Sequence, residues 1–401
     1  MLTPLDVLNL SEPLEFVYQQ IVDSLLINIA KHFNTDQSLA LELWEIKKLS
    51  ELGQVNKESA KIISDNIGQN ATLIAAALQK SVILATKDNE KELQEAVKKG
   101  FLDGPSGSPL LSDNIKNILL AYEAQATNKF NLVNTTMLES TLAQFRKVVT
   151  NTVAIEQKLN NTQNILNVAT GNVVTGVSNR QKALREALSK ISDEGITGFY
   201  DKAGRKWTPE AYVNMDIRTT VHNTSIEAIK ARQEEFGTDI FRVSRHSGAR
   251  PLCYPYQDKY YTWADRSGTF KDGEGKQHRY SPISSTSYNK PAGLFRINCG
   301  HFPIVVIPGV SIPRNRVKEN KKENDRIYAE SQQQRELERR IRAAKRKVVM
   351  LSEAGDKDAA KIAAEKVKQK EANLRGFIKT TNRTRRRDRE SVLGYSKTNL
   401  K

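Results

Sequence analysis

Helical periodicity that stops near residue 195 and returns after residue 313 constrains this chain more than any single motif. In the first stretch, Val17, Ile21, Leu25 and Ile29 form one row at helical spacing. Val22, Leu26, Ile29 and Phe33 form the adjacent row, so the two make a broad apolar face. Asn34-Thr35-Asp36 offers an N-cap for a following helix that carries Leu39, Leu41, Leu43, Trp44 and Ile46. A third helix is expected over about 70–99, stopped by Gly100, and DGPSGSP at 103–109 reads as a loop. From 111 to about 192 the pattern is again helical and rich in Asn, Gln and Thr, with interruptions expected at Gly171 and Gly176. Residues 1–194 therefore read as a helical arm or bundle whose polar faces suit partner proteins.

The texture changes at 195. Gly198, Gly204, Trp207 and Pro209 mark a compact turn-rich opening, and a helix is expected over about 209–235 with Pro209 near its first position. Short β-like runs follow at Asp239–Ser244, Tyr260–Trp263 and Phe302–Ile307, separated by Gly, Pro, Ser and Asp. Residues 195–313 read as a small α+β domain with long loops. From 314 to 401 the chain is helical and charged. Leu337, Ile341, Ala344, Val348 and Leu351 alternate spacings of four and three, which is a heptad seam. Ala354-Gly355-Asp356 breaks it, and a second helix to about 378 carries Ile362, Leu374 and Ile378 on its expected apolar side. The fold class is thus mainly α: a long helical N-terminal region, the small α+β domain, and a C-terminal basic helical hairpin and tail.

Charge follows the same division. The net charge of +16 separates into +14 over 314–401, +6 over 242–313 and −4 over the rest. One end is suited to a polyanion and the other to different partners. Hydrophobic residues make up 38% of the chain, low enough to favour long solvated helices over a thick globule. Two cysteines exclude a disulfide-rich secreted scaffold. The opening MLTPLDVLNL lacks the basic and apolar regions of a Sec-type signal, and no run approaches the length of a membrane span. Folding in a reducing cytoplasm is the simplest expectation. The candidate DNA contacts are Arg383, Arg385, Arg386, Arg387 and Arg389 in a tail expected to stay disordered until it meets a polyanion, and the Lys345, Arg346 and Lys347 cluster. Few aromatics interleave them, so phosphate contact is expected rather than base reading.

The residues with distinctive chemistry gather between 195 and 313: both cysteines, four of the five histidines and two of the three tryptophans. RHSGARPLCYPYQ at 245–257 and INCGHFP at 297–303 place His246, Cys253, Cys299 and His301 in two loops. Two Cys and two His match a tetrahedral zinc set that would fasten a domain with a small core, although the spacing is not that of a standard zinc finger. The alternatives are a reduced Cys pair in the core beside hydrogen-bonded histidines, and a Cys253–Cys299 disulfide, which a cytosolic product disfavours. A hydrolase would use Cys253 with His246 or His301, but no recognised nucleophile motif surrounds them. An ADP-ribosyltransferase of the arginine-specific toxin type would use Arg218, Ser285-Thr286-Ser287 and the Glu336-Leu337-Glu338 pair. These occur in the right order, but the glutamates lie within the heptad helix. No phosphate-binding loop is present. Gly273-Glu274-Gly275 lacks a strand–helix context, and Asp265, Asp272 and Glu274 lack the spacing of an EF-hand.

Several of these residues carry a resemblance. His246-Ser-Gly-Ala-Arg250-Pro251-Leu-Cys253, Tyr256-Gln257, Tyr260-Tyr261, Tyr288, Ala292-Gly293-Leu294-Phe295, Asn298-Cys299-Gly-His301-Phe302-Pro303 and Pro308-Gly309 occur in the order of the tailed-phage minor capsid protein 2 group. Gly204-Arg205-Lys206-Trp207, Tyr212, Met215 and Arg218-Thr219 upstream also resemble that family. So do the run Arg335–Arg342 and the Lys345-Arg346-Lys347 cluster downstream. The likeness covers roughly the whole chain and is most specific over 197–313. The chain is also distantly similar to head-morphogenesis proteins of the phage Mu F type, whose small domain ends in an Asn-Cys-Arg-Cys-like motif. His301 stands at the last position of that motif here, and Gly300 stands where Arg is commoner. The resemblance implies a non-enzymatic virion component in low copy number, assembled in the host cytoplasm and seated inside the phage head near the portal. It implies the portal protein and other capsid proteins as partners, with packaged DNA as a further one. The Cys/His set then reads as a structural lock.

Overall fold

The computed structural model describes residues 2–34, 39–170, 177–313 and 319–396. Helix α1 (Pro4–Lys31) starts from a reciprocal cap: the Asp6 amide donates to Thr3 Oγ1 at 3.1 Å and the Thr3 amide donates to Asp6 Oδ2 at 2.8 Å. Next come α2 (Leu41–Ser50), α3 (Leu52–Ile67) and α4 (Asn70–Lys98). Gly100, at φ +73°, terminates α4 as its sequence position predicts: its amide donates to the Val97 carbonyl and the following Phe101 amide to the Ala96 carbonyl. Helix α5 (Asp113–Thr170) and α6 (Val177–Glu194) complete the N-terminal helices. The expected cap at Thr35-Asp36 and the expected breaks at Gly171 and Gly176 lie outside the described residues. Strands β1 (Phe199–Tyr200) and β2 (Lys206–Trp207) precede α7 (Pro209–Glu235), which begins at Pro209 as expected. Strands β3 (Ile240–Val243), β4 (Tyr260–Thr262), β5 (Gly268–Lys271), β6 (Gln277–Pro282) and β7 (Pro303–Val305) follow. Helices α8 (Lys321–Glu353) and α9 (Lys357–Thr381) close the described secondary structure, apart from short 3-10 turns. The chain is mainly helical with a small mixed sheet.

Packing divides the chain into two units, each built from distant segments. One draws on the chain through Glu15, on Gln69–Phe130 and on Val213–Gln332. The other draws on Phe16–Gly68, on Asn131–Tyr212 and on the chain from Gln333 onward. Each unit therefore takes residues from all three of the segments 1–194, 195–313 and 314–401.

The first unit holds the five-stranded sheet, in the order β5-β6-β4-β3-β7. β4 and β6 are parallel and the other pairs antiparallel. Two buried amides tie helices to it. Asn89 of α4 accepts the Val305 amide at 3.1 Å and donates to the Pro303 carbonyl, which satisfies groups on the outer edge of β7. Gln233 of α7 donates to the Ile240 carbonyl and accepts from Trp263 Nε1, both at 2.9 Å. Ile240, Phe270, Tyr280 and Val306 form the apolar centre of the sheet, and Val82, Ile115, Ala228 and Ala231 join α4, α5 and α7. The β5–β6 hairpin was not expected. Its turn is KDGEGKQ, in which Asp272 Oδ1 accepts the amides of Glu274 and Lys276 and Gly275 takes φ +82°.

In the second unit Phe33 stacks on Phe145 at 5.1 Å and tilts against Trp44 at 6.2 Å. Of the apolar residues on α2, only Trp44 is buried, while Leu43 and Ile46 face outward. Of the expected heptad seam on α8, Ile341, Val348 and Leu351 are buried, while Leu337 and Ala344 are half-buried. Gly355, at φ +84°, makes the turn, and Asp356 caps α9 by accepting the Ala359 amide at 3.1 Å. On α9 the expectation is corrected. The inward face is Ala359, Ala360, Ala363, Ala364, Val367 and Leu374, whereas Ile362 is 64% exposed. Small residues allow α9 to approach its neighbours closely, and Ile362 lies off that stripe.

Candidate metal centre and basic faces

The Cys/His cluster lies wholly in the first unit. A turn brings Cys253 round, with its amide bonded to the Arg250 carbonyl at 2.9 Å. Cys299 follows Asn298, which adopts φ +59°. Ser287 joins the two loops, donating to the Leu252 carbonyl and accepting the Leu294 amide. Gly293 runs so close beneath Ser287 that a Cβ there would lie 1.6 Å from the Ser287 carbonyl oxygen. The result is a buried cluster. Cys253 Sγ is 3.6 Å from Cys299 Sγ, and Cys299 Sγ is 3.4 Å from His301 Nδ1. The donor atoms of Cys253, Cys299 and His301 all lie within 4.8 Å of one another.

His246 does not belong to that triplet. Its ring stands 4.3 Å from the ring of His301, its Nδ1 contacts the Ser247 carbonyl at 3.0 Å, and its Nε2 approaches Gly300. Burial, then the neighbouring His301, lowers its pKa to about 4, so the ring is neutral near pH 7. A cleft of about 510 Å³ opens beside it, lined by Arg242, Arg245, Asp258 and Tyr260 among others. Asp258 already accepts from Arg245.

Sequence reasoning missed His222. It sits on α7, 2% exposed, with its ring 4.6 Å from that of Phe302. Neither of its ring nitrogens makes a well-aligned hydrogen bond, yet it is close enough to act on the Cys299 thiol. Burial works against a Cys299 thiolate, but Cys253, His222 and His301 outweigh it and hold the pKa well below the ordinary thiol value. Cys299, followed by burial, pushes the Cys253 thiol the other way. The only signal for His222 in the sequence is the clustering of histidines, since no short motif spans residues 222 to 253.

The rival enzymatic constellations fare differently. Cys253, the proposed hydrolytic nucleophile, is the thiol kept protonated, and its Sγ faces Cys299 and the Gly293 carbonyl. Glu336 binds Arg339 and Arg340, and Glu338 is buried against Gln334 with Arg389 at 3.9 Å. Both glutamates belong to the second unit, while Arg218 and Ser285–Ser287 belong to the first. Asp272 serves the β5–β6 turn and pairs with His278 at 2.7 Å.

The expected phosphate contacts lie in the second unit, and several are already occupied. Arg346 is buried between Asp23 at 2.7 Å and Glu210 at 2.9 Å. Lys345 is buried, reaching Glu371 at 3.2 Å and the Glu390 carbonyl at 3.0 Å. These two are corrected: side chains enclosed among carboxylates do not face a phosphate. Lys347 is half-buried. The tail is ordered against α8 instead of awaiting a polyanion. Arg383 donates to Gln334 Oε1 at 2.7 Å, and Arg385 clasps the buried Glu390 through Nε and Nη2. Arg386 pairs loosely with Asp388 at 3.5 Å, and Arg389 approaches Glu338. Arg387 is exposed. A second basic feature is more open. On α9, along one flank of the alanine face, Lys357, Lys361, Lys368, Arg375 and Lys379 recur at spacings of four and seven, all exposed. Lys368 also contacts the exposed Glu365.

Comparison with known proteins agrees over most of the chain. The family described as phage minor capsid protein 2 matches residues 2–379. A curated relative, a "Structural protein" of Lactococcus phage LL-H, is 23% identical over 355 residues, covering 87% of this chain and 88% of its own length. No solved structure matches significantly. Among the described residues no helix is long and apolar enough to cross a membrane.

Proposed function

Because the chain belongs to the phage minor capsid protein 2 family, we propose that it is a low-copy component of the head interior that binds the portal and touches packaged DNA through the exposed basic stripe of α9. Membership makes it a structural component of the phage capsid, with capsid proteins as its partners. The finer reading rests on that stripe. Five cations in line on one exposed flank of a helix whose alanine face is buried form a rigid rod of positive charge. Such a rod neutralises phosphates without reading bases. A protein that touches packaged DNA works inside the shell, which also brings it within reach of the portal. Arg386 and Arg387 extend the basic surface, while Lys345 and Arg346 leave the set because their charges are satisfied internally.

The test is duplex DNA binding by the full-length protein across a salt series. Wild type is compared with a variant carrying Lys361→Gln, Lys368→Gln, Arg375→Gln and Lys379→Gln. Each lost phosphate contact lowers the salt slope by about 0.9, so the variant loses up to roughly 3–4 units of slope. If affinity and slope match wild type while the helical circular dichroism is unchanged, the stripe is a solvated face and the DNA reading fails. Cross-linking to co-expressed portal protein tests the other contact, which is discarded if no adduct forms.

A further inference from the structure

The geometry points to a structural zinc site in the first unit, with Cys253, Cys299, His301 and His222 as its four ligands. It goes beyond the capsid role and does not depend on it. Metal–sulfur bonds of about 2.3 Å and metal–nitrogen bonds of about 2.0–2.1 Å at tetrahedral angles set sulfurs about 3.8 Å apart and each sulfur about 3.5 Å from a nitrogen. The observed separations are 3.6 Å between the two sulfurs and 3.4 Å from Cys299 Sγ to His301 Nδ1. Two edges of the triangle thus already have tetrahedral lengths, and the third lies within 4.8 Å.

The fourth corner needs a buried donor with no other partner. His222 supplies one: it is 2% exposed, both ring nitrogens lack a hydrogen bond, and its ring packs 4.6 Å from that of Phe302, the neighbour of His301; its nitrogens stand outside the 4.8 Å cluster, so metal binding draws the ring inward. Two uncommitted ring nitrogens in an apolar interior are costly unless something binds them. His246 also has an unpaired Nε2, but its Nδ1 is spent on Ser247 and its ring is only partly buried, so it covers the site from the cleft side. Two thiolates and two imidazoles in tetrahedral array select zinc over hard cations, which prefer oxygen. With every ligand buried, no position is left open to water or substrate, so the ion is structural rather than catalytic. It fastens α7 to the two loops that carry the cysteines, an anchor for a small sheet with few apolar residues.

Metal content of full-length protein purified without chelator, followed by cobalt substitution, tests the assignment. Wild type is expected to hold one zinc per chain, and its cobalt form to show thiolate-to-cobalt charge-transfer absorption. Chelator competition should show His222→Ala losing about 100-fold or more in affinity, with His246→Ala changing it little. Cys299→Ser should abolish the charge-transfer band in proportion to lost metal. If His222→Ala does not fold, His222→Cys replaces one donor by another and should keep one equivalent with stronger thiolate absorption. Wild type that takes up no zinc when supplied with it overturns the site. Retention of tight binding in His222→Ala, or its loss in His246→Ala instead, overturns the ligand assignment.

Discussion

At Arg346 a single guanidinium serves two carboxylates inside the second unit. Burial weighs first on both acids. At Asp23 it prevails over Arg346 and raises the pKa, while at Glu210 Arg346 and Arg342 outweigh it and lower the pKa. Removing the cation strands two buried acids, and stranding a buried charge is far costlier than replacing the whole set by apolar groups. Arg346→Ala should lose about 3–5 kcal/mol in urea unfolding. Arg346→Met combined with Asp23→Asn and Glu210→Gln should recover much of that. At this scale the sequence misleads for a definite reason. Lys345-Arg346-Lys347 reads as a basic patch because the counter-charges of Arg346 lie 323 and 136 residues away, at Asp23 and Glu210. His222 was overlooked for the same reason, since its relation to Cys299 is made by the fold and leaves no local spacing.

At the scale of single elements the helices were the most legible part. Their periodicity is local, and Gly100, Pro209 and Gly355 mark boundaries by backbone chemistry that needs no tertiary context. Which face turns inward was less legible: on α9 the alanines pack and Ile362 does not. Ile362→Ser should therefore shift stability by no more than about 0.5 kcal/mol. Ala363→Leu, overfilling the close-packed side, should cost about 1–3 kcal/mol, and thermal melts of the two variants separate these outcomes. The β5–β6 hairpin escaped notice because its turn is polar and its strands are short, so hydrophobic alternation is weak. It carries a pH signature. The contact with His278, followed by the turn amides, lowers the pKa of Asp272 in the folded state. The unfolded chain then binds more protons than the native one below about pH 4, so the stabilisation is complete above that value and lost as pH falls through the depressed native pKa. Asp272→Asn should flatten the loss of stability expected of wild type as pH falls below about 4, read by urea unfolding across a pH series.

The whole molecule is assembled from pieces distant in sequence, and composition alone did not reveal this. Texture and charge divide the chain at 195 and 314, but packing draws both units from all three segments. In the second unit the final ordered stretch completes earlier parts: the Leu393 amide donates to Asp23 at 2.9 Å and Gln19 donates to the Ser391 carbonyl at 2.6 Å. A chain stopped after Asn382 should melt about 5–10 °C below the full chain, a difference readable by calorimetry. The same feature sets a timetable for synthesis. Asp23 emerges from the ribosome some 370 residues before the amide that completes its surroundings, an interval of roughly 20–75 s at ordinary elongation rates. The apolar row that ends at Phe33 meets Trp44 and Phe145 early in that interval, whereas Asp23 gains the Leu393 amide only at its close, so the polar sealing of the unit is the last step the ribosome permits.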